Sequence, residues 1–266
     1  MSTENSEFII ETAGLTKQFR GFTAVKDVNL LVRRGTVHAL IGPNGAGKTT
    51  CFNLITKFLI PTSGTIRFNG RDITRLSPTA VARLGLVRSF QISATFPHLT
   101  LLENVRVALQ RPAGLHGQFW LPDSALNRLN GRAMELLAEV GLDQYAGLTA
   151  VELPYGRKRA LELATTLALD PEMLLLDEPM AGMGHEDIAR VTELIRRVAK
   201  NRTVLMVEHN LNVVATLSDR ITVLARGEIL AEGAYAEVSR NPKVVEAYMG
   251  TTTADSAAKP LAGAPA

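Results

Sequence analysis

Apolar positions along the chain fall into two periods. In the first third they form short runs broken by glycine: FIIETA (8–13), VNLLV (28–32), TVHALI (36–41) and TIRF (65–68), each of strand length. In GRAMELLAEVGL (131–142) the period changes, and Ala133, Leu136, Leu137 and Val140 recur every three to four residues. That spacing predicts an amphipathic helix with Gly141 as its C-cap. The last third alternates again. MLLL (173–176) is an unbroken apolar run, the pattern of a strand buried on both faces. Ile188, Val191, Leu194, Ile195 and Val198 predict a helix with one apolar face, and Arg196, Arg197 and Lys200 sit in its last turn. TVLMV (203–207) and ITVLA (221–225) predict two more strands, with a hairpin turn at Arg226–Gly227. The order predicts an α/β core with a helical lobe inserted at about 99–169. Residues 251–266 (TTTADSAAKPLAGAPA) show no period and little to bury, so a disordered tail is expected there.

Composition narrows the class. A chain of 266 residues with 46% apolar and 21% charged residues suits one large domain, or a domain with a sizeable insertion. No stretch approaches the roughly 18 to 20 apolar residues of a membrane-spanning helix. The opening MSTENSEFII lacks the basic start and apolar run of a secretory signal. A cytosolic location is expected, with membrane contact only through a partner. The net charge of +3 is spread along the chain, in short clusters such as RR (33–34) and IRRVAKNR (195–202). These suit solvated helix ends or a face near anionic lipid headgroups, and no nucleic-acid partner is expected. The single cysteine, Cys51, excludes an internal disulfide and a thiolate metal cluster, and suits a small buried residue on a helix packed against a sheet. The five histidines show no metal-ligand spacing. The Gly- and Pro-rich loop RPAGLHGQFWLPDS (111–124) carries Phe119 and Trp120, which either plug a small helical core or anchor a partner.

The chemistry concentrates in a few segments. GPNGAGKTT (42–50) matches G-x-x-x-x-G-K-[ST] at Gly42, Gly47, Lys48 and Thr49, and it sits between a predicted strand and a predicted helix. Such a loop wraps backbone amides around a β-phosphate, which assigns Asn44, Gly45, Ala46, Gly47, Lys48, Thr49 and Thr50 to a nucleotide's phosphates. Lys48 supplies charge to the β- and γ-phosphates, and Thr49 offers a hydroxyl to Mg2+. MLLLDEP (173–179) delivers Asp177 to the polar end of a buried strand, where a carboxylate can hold Mg2+ through water. The adjacent Glu178 is placed to orient or deprotonate an attacking water. His209, in TVLMVEHN, follows another buried strand, and Gln91, in VRSFQ, follows an extended run.

The order GPNGAGKTT, VRSFQ, LPYGRKR, MLLLDEP, VEHN resembles an ABC-transporter ATP-binding subunit over about residues 8–250. The segments GPNGAGKTTCFNLIT, ARLGLVRSFQ followed by FPHLTLLENV, and NPKVVEAYMG are most similar to the ATPases of branched-chain (hydrophobic) amino-acid importers. The resemblance implies a P-loop NTPase fold: an ABC ATPase cassette with a RecA-like core, an N-terminal antiparallel β subdomain and a helical signature subdomain. It implies ATP and Mg2+ as ligands, a head-to-tail pair of cassettes on transmembrane permease subunits at the cytoplasmic face of the inner membrane, and a solute-binding protein as an indirect partner. It gives Phe19 a stacking role on adenine, with a core phenylalanine as the alternative. Gln91 becomes the link between the Mg2+ site and the membrane-domain contact, with ISATFPHLT beside it, and His209 becomes the switch histidine.

The chain departs from the family pattern at its signature loop. The usual LSGGQ presents a serine hydroxyl and glycine amides to ATP on the opposite cassette; here the segment is Leu153-Pro154-Tyr155-Gly156-Arg157. Pro154 has neither hydroxyl nor N–H, and Tyr155 brings a ring where close backbone approach is wanted. A second, different ATP-binding subunit is therefore expected to complete this chain's own site. The loop MAGMGHED carries Gly184 where Asp or Asn is usual, and Lys57 stands where the family has glycine. The expected function is ATP hydrolysis that energises import of a branched-chain or other hydrophobic amino acid or a similar small solute. The alternatives are a homodimeric ATPase of lipid or lipopolysaccharide export and a hydrolysis-dead nucleotide-binding scaffold.

Overall fold

The computed structural model describes residues 7–89, 95–115, 117–118 and 123–249. The strands form two sheets. In the antiparallel one, β1 (Phe8–Phe19) pairs with both β2 (Phe22–Val28) and β3 (Leu31–Arg33). The chain then enters the second sheet as β4 (Val37–Ile41), before β5 (Ser63–Phe68) and β6 (Arg71–Asp72) complete the first. The second sheet adds β7 (Leu86–Ser89), β8 (Met173–Asp177), β9 (Thr203–Val207), β10 (Arg220–Ala225) and β11 (Glu228–Gly233), in the order β11-β10-β4-β9-β8-β7. All its neighbours run parallel except the β10–β11 hairpin, which turns at Arg226–Gly227 as expected.

Every residue of β4, β8 and β9 is buried, because each strand divides its side chains between two cores. Leu174, Leu176, Val204 and Met206 face a core shared with the helices α3 to α7 described below. Met173, Leu175, Leu205 and Val207 face the core under the antiparallel sheet, with Phe52 and Leu54 of α1 (Lys48–Ile55). Cys51 belongs to that second core, fully buried, and burial pushes its thiol up to about 12. After the short α2 (Pro78–Arg83), the helices α3 (Leu101–Gln110), α4 (Asn130–Glu139) and α5 (Tyr155–Leu167) pack on one another between β7 and β8 in sequence. The four residues named for the 131–142 helix are buried, and Gly141 closes it through hydrogen bonds from Gly141 N–H to Ala138 O (3.0 Å) and from Leu142 N–H to Leu137 O (2.7 Å). α6 (His185–Ala199), α7 (Leu211–Leu217), α8 (Tyr235–Val238) and α9 (Pro242–Met249) complete the chain. No helix among the described residues is long and apolar enough to cross a membrane.

One strand expectation fails. The run 28–32 is not a single strand but the junction of β2 and β3. The Asn29 side chain accepts from Gly14 N–H (2.8 Å) and donates to Asp27 O (2.9 Å), which turns the chain between the two strands. β2 itself and the second half of β1 were not read from the pattern. The arginine clusters are ion-paired: Arg33 with Glu7 (2.7 Å), Arg34 with Glu172 (3.4 Å), and Arg202, largely buried, with Glu139 (3.0 Å). Phe119, Trp120 and the 251–266 tail lie outside the described residues.

Candidate functional site

Because β4, β7, β8 and β9 are parallel, their carboxyl ends share one edge of the sheet, where open α/β sheets bind ligands. β4 ends at Ile41 and the loop 42–47 leads directly into α1. The loop is wedged into place. A Cβ on Gly42 would lie 2.1 Å from Leu224 O, and one on Gly47 2.4 Å from Ala24 O, so β10 and β2 both require a bare backbone there. Asn44, Gly45 and Thr49 are exposed, Ala46 is buried, and Gly47, Lys48 and Thr50 are half-buried. The first-turn amides of α1 lack intrahelical acceptors and form a ready anion site. Lys48 Nζ donates to Gly42 O (2.7 Å) and Pro43 O (3.0 Å), folded back on its own loop. Burial holds its ammonium below the usual lysine range, and the charge of Glu178 opposes that shift.

At the end of β8 the Asp177 carboxylate is buried and paired with Arg88 of β7 at 2.5 Å. Arg88 also donates to Asn53 Oδ1 of α1 (2.6 Å), and the Phe52 and Phe58 rings lie 5.1 and 5.4 Å from its guanidinium. Glu178 takes a positive φ of 45°, and its N–H donates to Val207 O (2.9 Å), which ties the ends of β8 and β9 together. Glu208, buried just before His209, accepts from three backbone amides: Met180 (3.2 Å), His209 (2.7 Å) and Asn210 (2.9 Å). It fastens the turn bearing His209 to the loop after Glu178. The His209 side chain is 65% exposed and projects from that turn.

The segment 154–157 begins α5 as expected, with Pro154 at the N-cap and no side-chain cap. Tyr155 does not swing over the site's approach. Its hydroxyl donates to Ala181 O (3.1 Å) and accepts from Arg159 Nη2 (3.0 Å), and Arg159 in turn pairs with buried Glu162 (2.8 Å). Gly156 is buried against Asp187 of α6. The Arg157 guanidinium stacks 4.2 Å from the Tyr145 ring centroid. Gly184 is the N-cap of α6 and offers that helix no capping side chain. Lys57 holds φ 66 just past α1, the left-handed geometry a glycine adopts without strain, and burial pushes its amine below the usual lysine range.

Phe19 stands at the β1–β2 turn, 42% exposed, with Lys17 Nζ 5.2 Å from its ring centroid. The core alternative for Phe19 is therefore wrong. Phe22, its cross-strand partner, is exposed beside it and was not singled out from sequence. Gln91 lies outside the described residues. Arg88 and Glu208 were also missed. Both occur inside quoted motifs, VRSFQ and VEHN, but their buried partners come from other elements.

A loop of bare amides and one lysine at the head of a helix, with an acidic pair at the end of a strand two places along the sheet, defines a P-loop nucleotide-binding protein. Comparison with known sequences narrows the class: the family described as "ABC transporter" matches residues 25–181, and that described as "Branched-chain amino acid ATP-binding cassette transporter" matches 228–253. The chain belongs to the ABC transporter ATP-binding family. It is 41% identical over 251 residues to the high-affinity branched-chain amino acid transport ATP-binding protein BraF of Pseudomonas aeruginosa, covering 91% of this chain and 98% of that one. To LivG of Escherichia coli K12, described in the same terms, it is 38% identical over 252 residues, covering 92% and 99%. Among solved structures, the ADP conformation of MJ1267, an ATP-binding cassette of an ABC transporter, superposes with a TM-score of 0.81 at 30% identity, covering 91% of this chain and 99% of that one.

Proposed function

We propose that the chain is the ATP-hydrolysing subunit of an importer for branched-chain or other hydrophobic amino acids, paired with a second, different cassette on permease subunits at the cytoplasmic face of the membrane. The observation that carries this reading is the end-to-end likeness to BraF and LivG, at 38–41% identity, in a chain that keeps Lys48, Asp177, Glu178 and His209 at one sheet edge. A homodimeric lipid exporter is not favoured by these relatives.

In this reading the cassette spans about 8–250, with the helical part at about 99–169. The amides of 44–49 cradle the β-phosphate, and Lys48 leaves the Gly42 and Pro43 carbonyls to meet the β- and γ-phosphates. Phe19 stacks on adenine. Glu178 takes a proton from the water that attacks the γ-phosphorus, giving ADP and inorganic phosphate, and His209 donates to the γ-phosphate. Thr49, Asp177 and Gln91 offer the hard oxygen donors that suit Mg2+, which tolerates a single carboxylate when phosphates and waters fill the remaining positions. When bound, Mg2+ neutralises charge on the β- and γ-oxygens. Binding the metal requires Asp177 to share its carboxylate between Arg88 and the ion. Two features support a different partner cassette: Pro154 has no N–H to offer a phosphate, and the Tyr155 hydroxyl is engaged with the chain's own Ala181.

Reconstitution in proteoliposomes with permease subunits, a second cassette and a solute-binding protein tests the reading. ATP-dependent uptake of leucine, isoleucine or valine is expected, lost with Glu178→Gln. Uptake that persists with Glu178→Gln, or hydrolysis that none of these solutes stimulates, would contradict it.

A further inference from the structure

The segment 228–253, which the branched-chain family shares, ends in a helix whose contacts reach the nucleotide loop. On α9, Val244 is buried, and Tyr248 lies one turn further along the same face. The two side chains close a small pocket with Ile41, Leu211, Tyr235 and Val238. Two of those neighbours matter for the site. Ile41 is the last residue of β4, directly before Gly42. Leu211 opens α7 two residues after His209, in the turn that Glu208 and Asn210 fasten.

The ring is therefore seated between the strand that launches the phosphate loop and the helix that follows the proposed switch histidine. Its hydroxyl has a specific partner as well. Burial pushes the Tyr248 phenol up to about 12, while a hydrogen bond with the backbone of Gly42 pulls the other way, the effect of an N–H donating to the phenol oxygen. The same Gly42 accepts Lys48 Nζ through its carbonyl at 2.7 Å. Its Cα faces the Leu224 carbonyl so closely that no side chain fits between them. Gly42 thus relays one contact to another: phenol at its amide, phosphate lysine at its carbonyl, strand β10 at its back.

We propose that Tyr248 is a positioning residue, whose phenol oxygen fixes the Gly42 amide and so presets the phosphate loop and Lys48 before nucleotide arrives. The proposal rests on the reading of 42–50 as the nucleotide site. It assigns to the C-terminal segment a part in ATP binding, although that segment contributes no residue to the phosphate loop itself. A tyrosine that merely fills the pocket would be replaced by phenylalanine without consequence, because the ring supplies all the packing.

The test uses the full-length, nucleotide-free chain. Tyr248→Phe keeps the ring and removes the oxygen. Amide exchange at Gly42, followed by NMR on 15N-glycine-labelled protein, is expected to speed up by about 2- to 12-fold, the range for losing one neutral hydrogen bond. The Kd for ATP is expected to rise by a similar factor, with the unfolding midpoint little changed. Val244→Ala serves as the packing control: it is expected to lower the unfolding midpoint and leave Gly42 exchange closer to wild type than Tyr248→Phe does. If Tyr248→Phe leaves both Gly42 exchange and ATP affinity unchanged, the proposal is overturned while the phosphate-loop reading stands. If Val244→Ala reproduces the exchange change in full, Tyr248 acts only by packing and the proposal is equally overturned. Failure of the wild-type chain to bind ATP at all would overturn the underlying reading instead.

Discussion

Arg88 Nη2 lies 2.5 Å from Asp177 Oδ2, joining the ends of β7 and β8 with side chains that are 14% and 5% exposed. The pair is buried enough that removing one partner strands the other. Arg88→Met is expected to cost about 3–5 kcal/mol, the range for leaving a buried charge unpaired. Adding Asp177→Asn to Arg88→Met should recover part of that loss. Urea unfolding of the two single variants and the double variant measures the coupling. Strictly additive effects would mean that the pair contributes nothing beyond its members.

The phosphate loop tolerates a side chain at one glycine and not at another. A Cβ at Gly42 collides with Leu224 O, whereas one at Gly45 meets nothing within 4 Å. Gly42→Ala is expected to abolish ATP binding and lower the unfolding midpoint. Gly45→Ala keeps the fold and is expected to cost about 1–2 kcal/mol, through its left-handed backbone alone. Fluorescent-nucleotide titration with thermal unfolding distinguishes the two. Equal effects from both substitutions would contradict the wedged geometry.

His38, buried in β4 with Nε2 2.8 Å from Thr222 Oγ1, gives the chain an acid-sensitive core. Burial, with a smaller contribution from Arg220, lowers its pKa from 6.5 to about 4. The folded pKa is depressed for a base, so the unfolded chain takes up the proton first. Stability is fully present above pH 6.5 and falls as pH drops toward 4. The loss from this one group is about 2 kcal/mol by pH 5. His38→Gln is expected to flatten that part of the pH dependence, read as unfolding free energies at pH 7 and pH 5. An unchanged slope in the variant would place the acid sensitivity elsewhere.

Tyr155 and Ala181 connect the start of α5 to the loop after Glu178. Tyr155→Phe removes a single hydrogen bond, worth about 1 kcal/mol. Faster amide exchange is expected around 181–184, with global stability nearly unchanged. If exchange in that loop does not move, the hydroxyl contact has no hold on it.

What was legible in the sequence follows from how local each signal is. The phosphate loop and MLLLDEP declare themselves because glycine, lysine and carboxylate chemistry sits within a few consecutive residues, bounded by apolar runs that do become β4 and β8. The C-terminal closure of α4 at Gly141 is equally local. The break between β2 and β3 was not legible, since it depends on Asn29 reaching Gly14 across the sheet. Arg88 and Glu208 gain their meaning from partners 89 and 28 residues away, and no periodicity encodes those distances. Tyr155 shows the same limit. Its ring was read as an obstacle over the site, yet its hydroxyl is drawn to the chain's own loop.

The account centres on a chain whose phosphate loop is complete and whose signature loop serves a copy of itself poorly. Light scattering on Glu178→Gln protein, with and without ATP, tests this most directly, because the substitution retains ATP binding and traps any closed dimer. The expected result is a monomer at micromolar concentration with ATP bound, and a closed pair only when a different cassette is added. A stable ATP-dependent homodimer of this chain alone would contradict it.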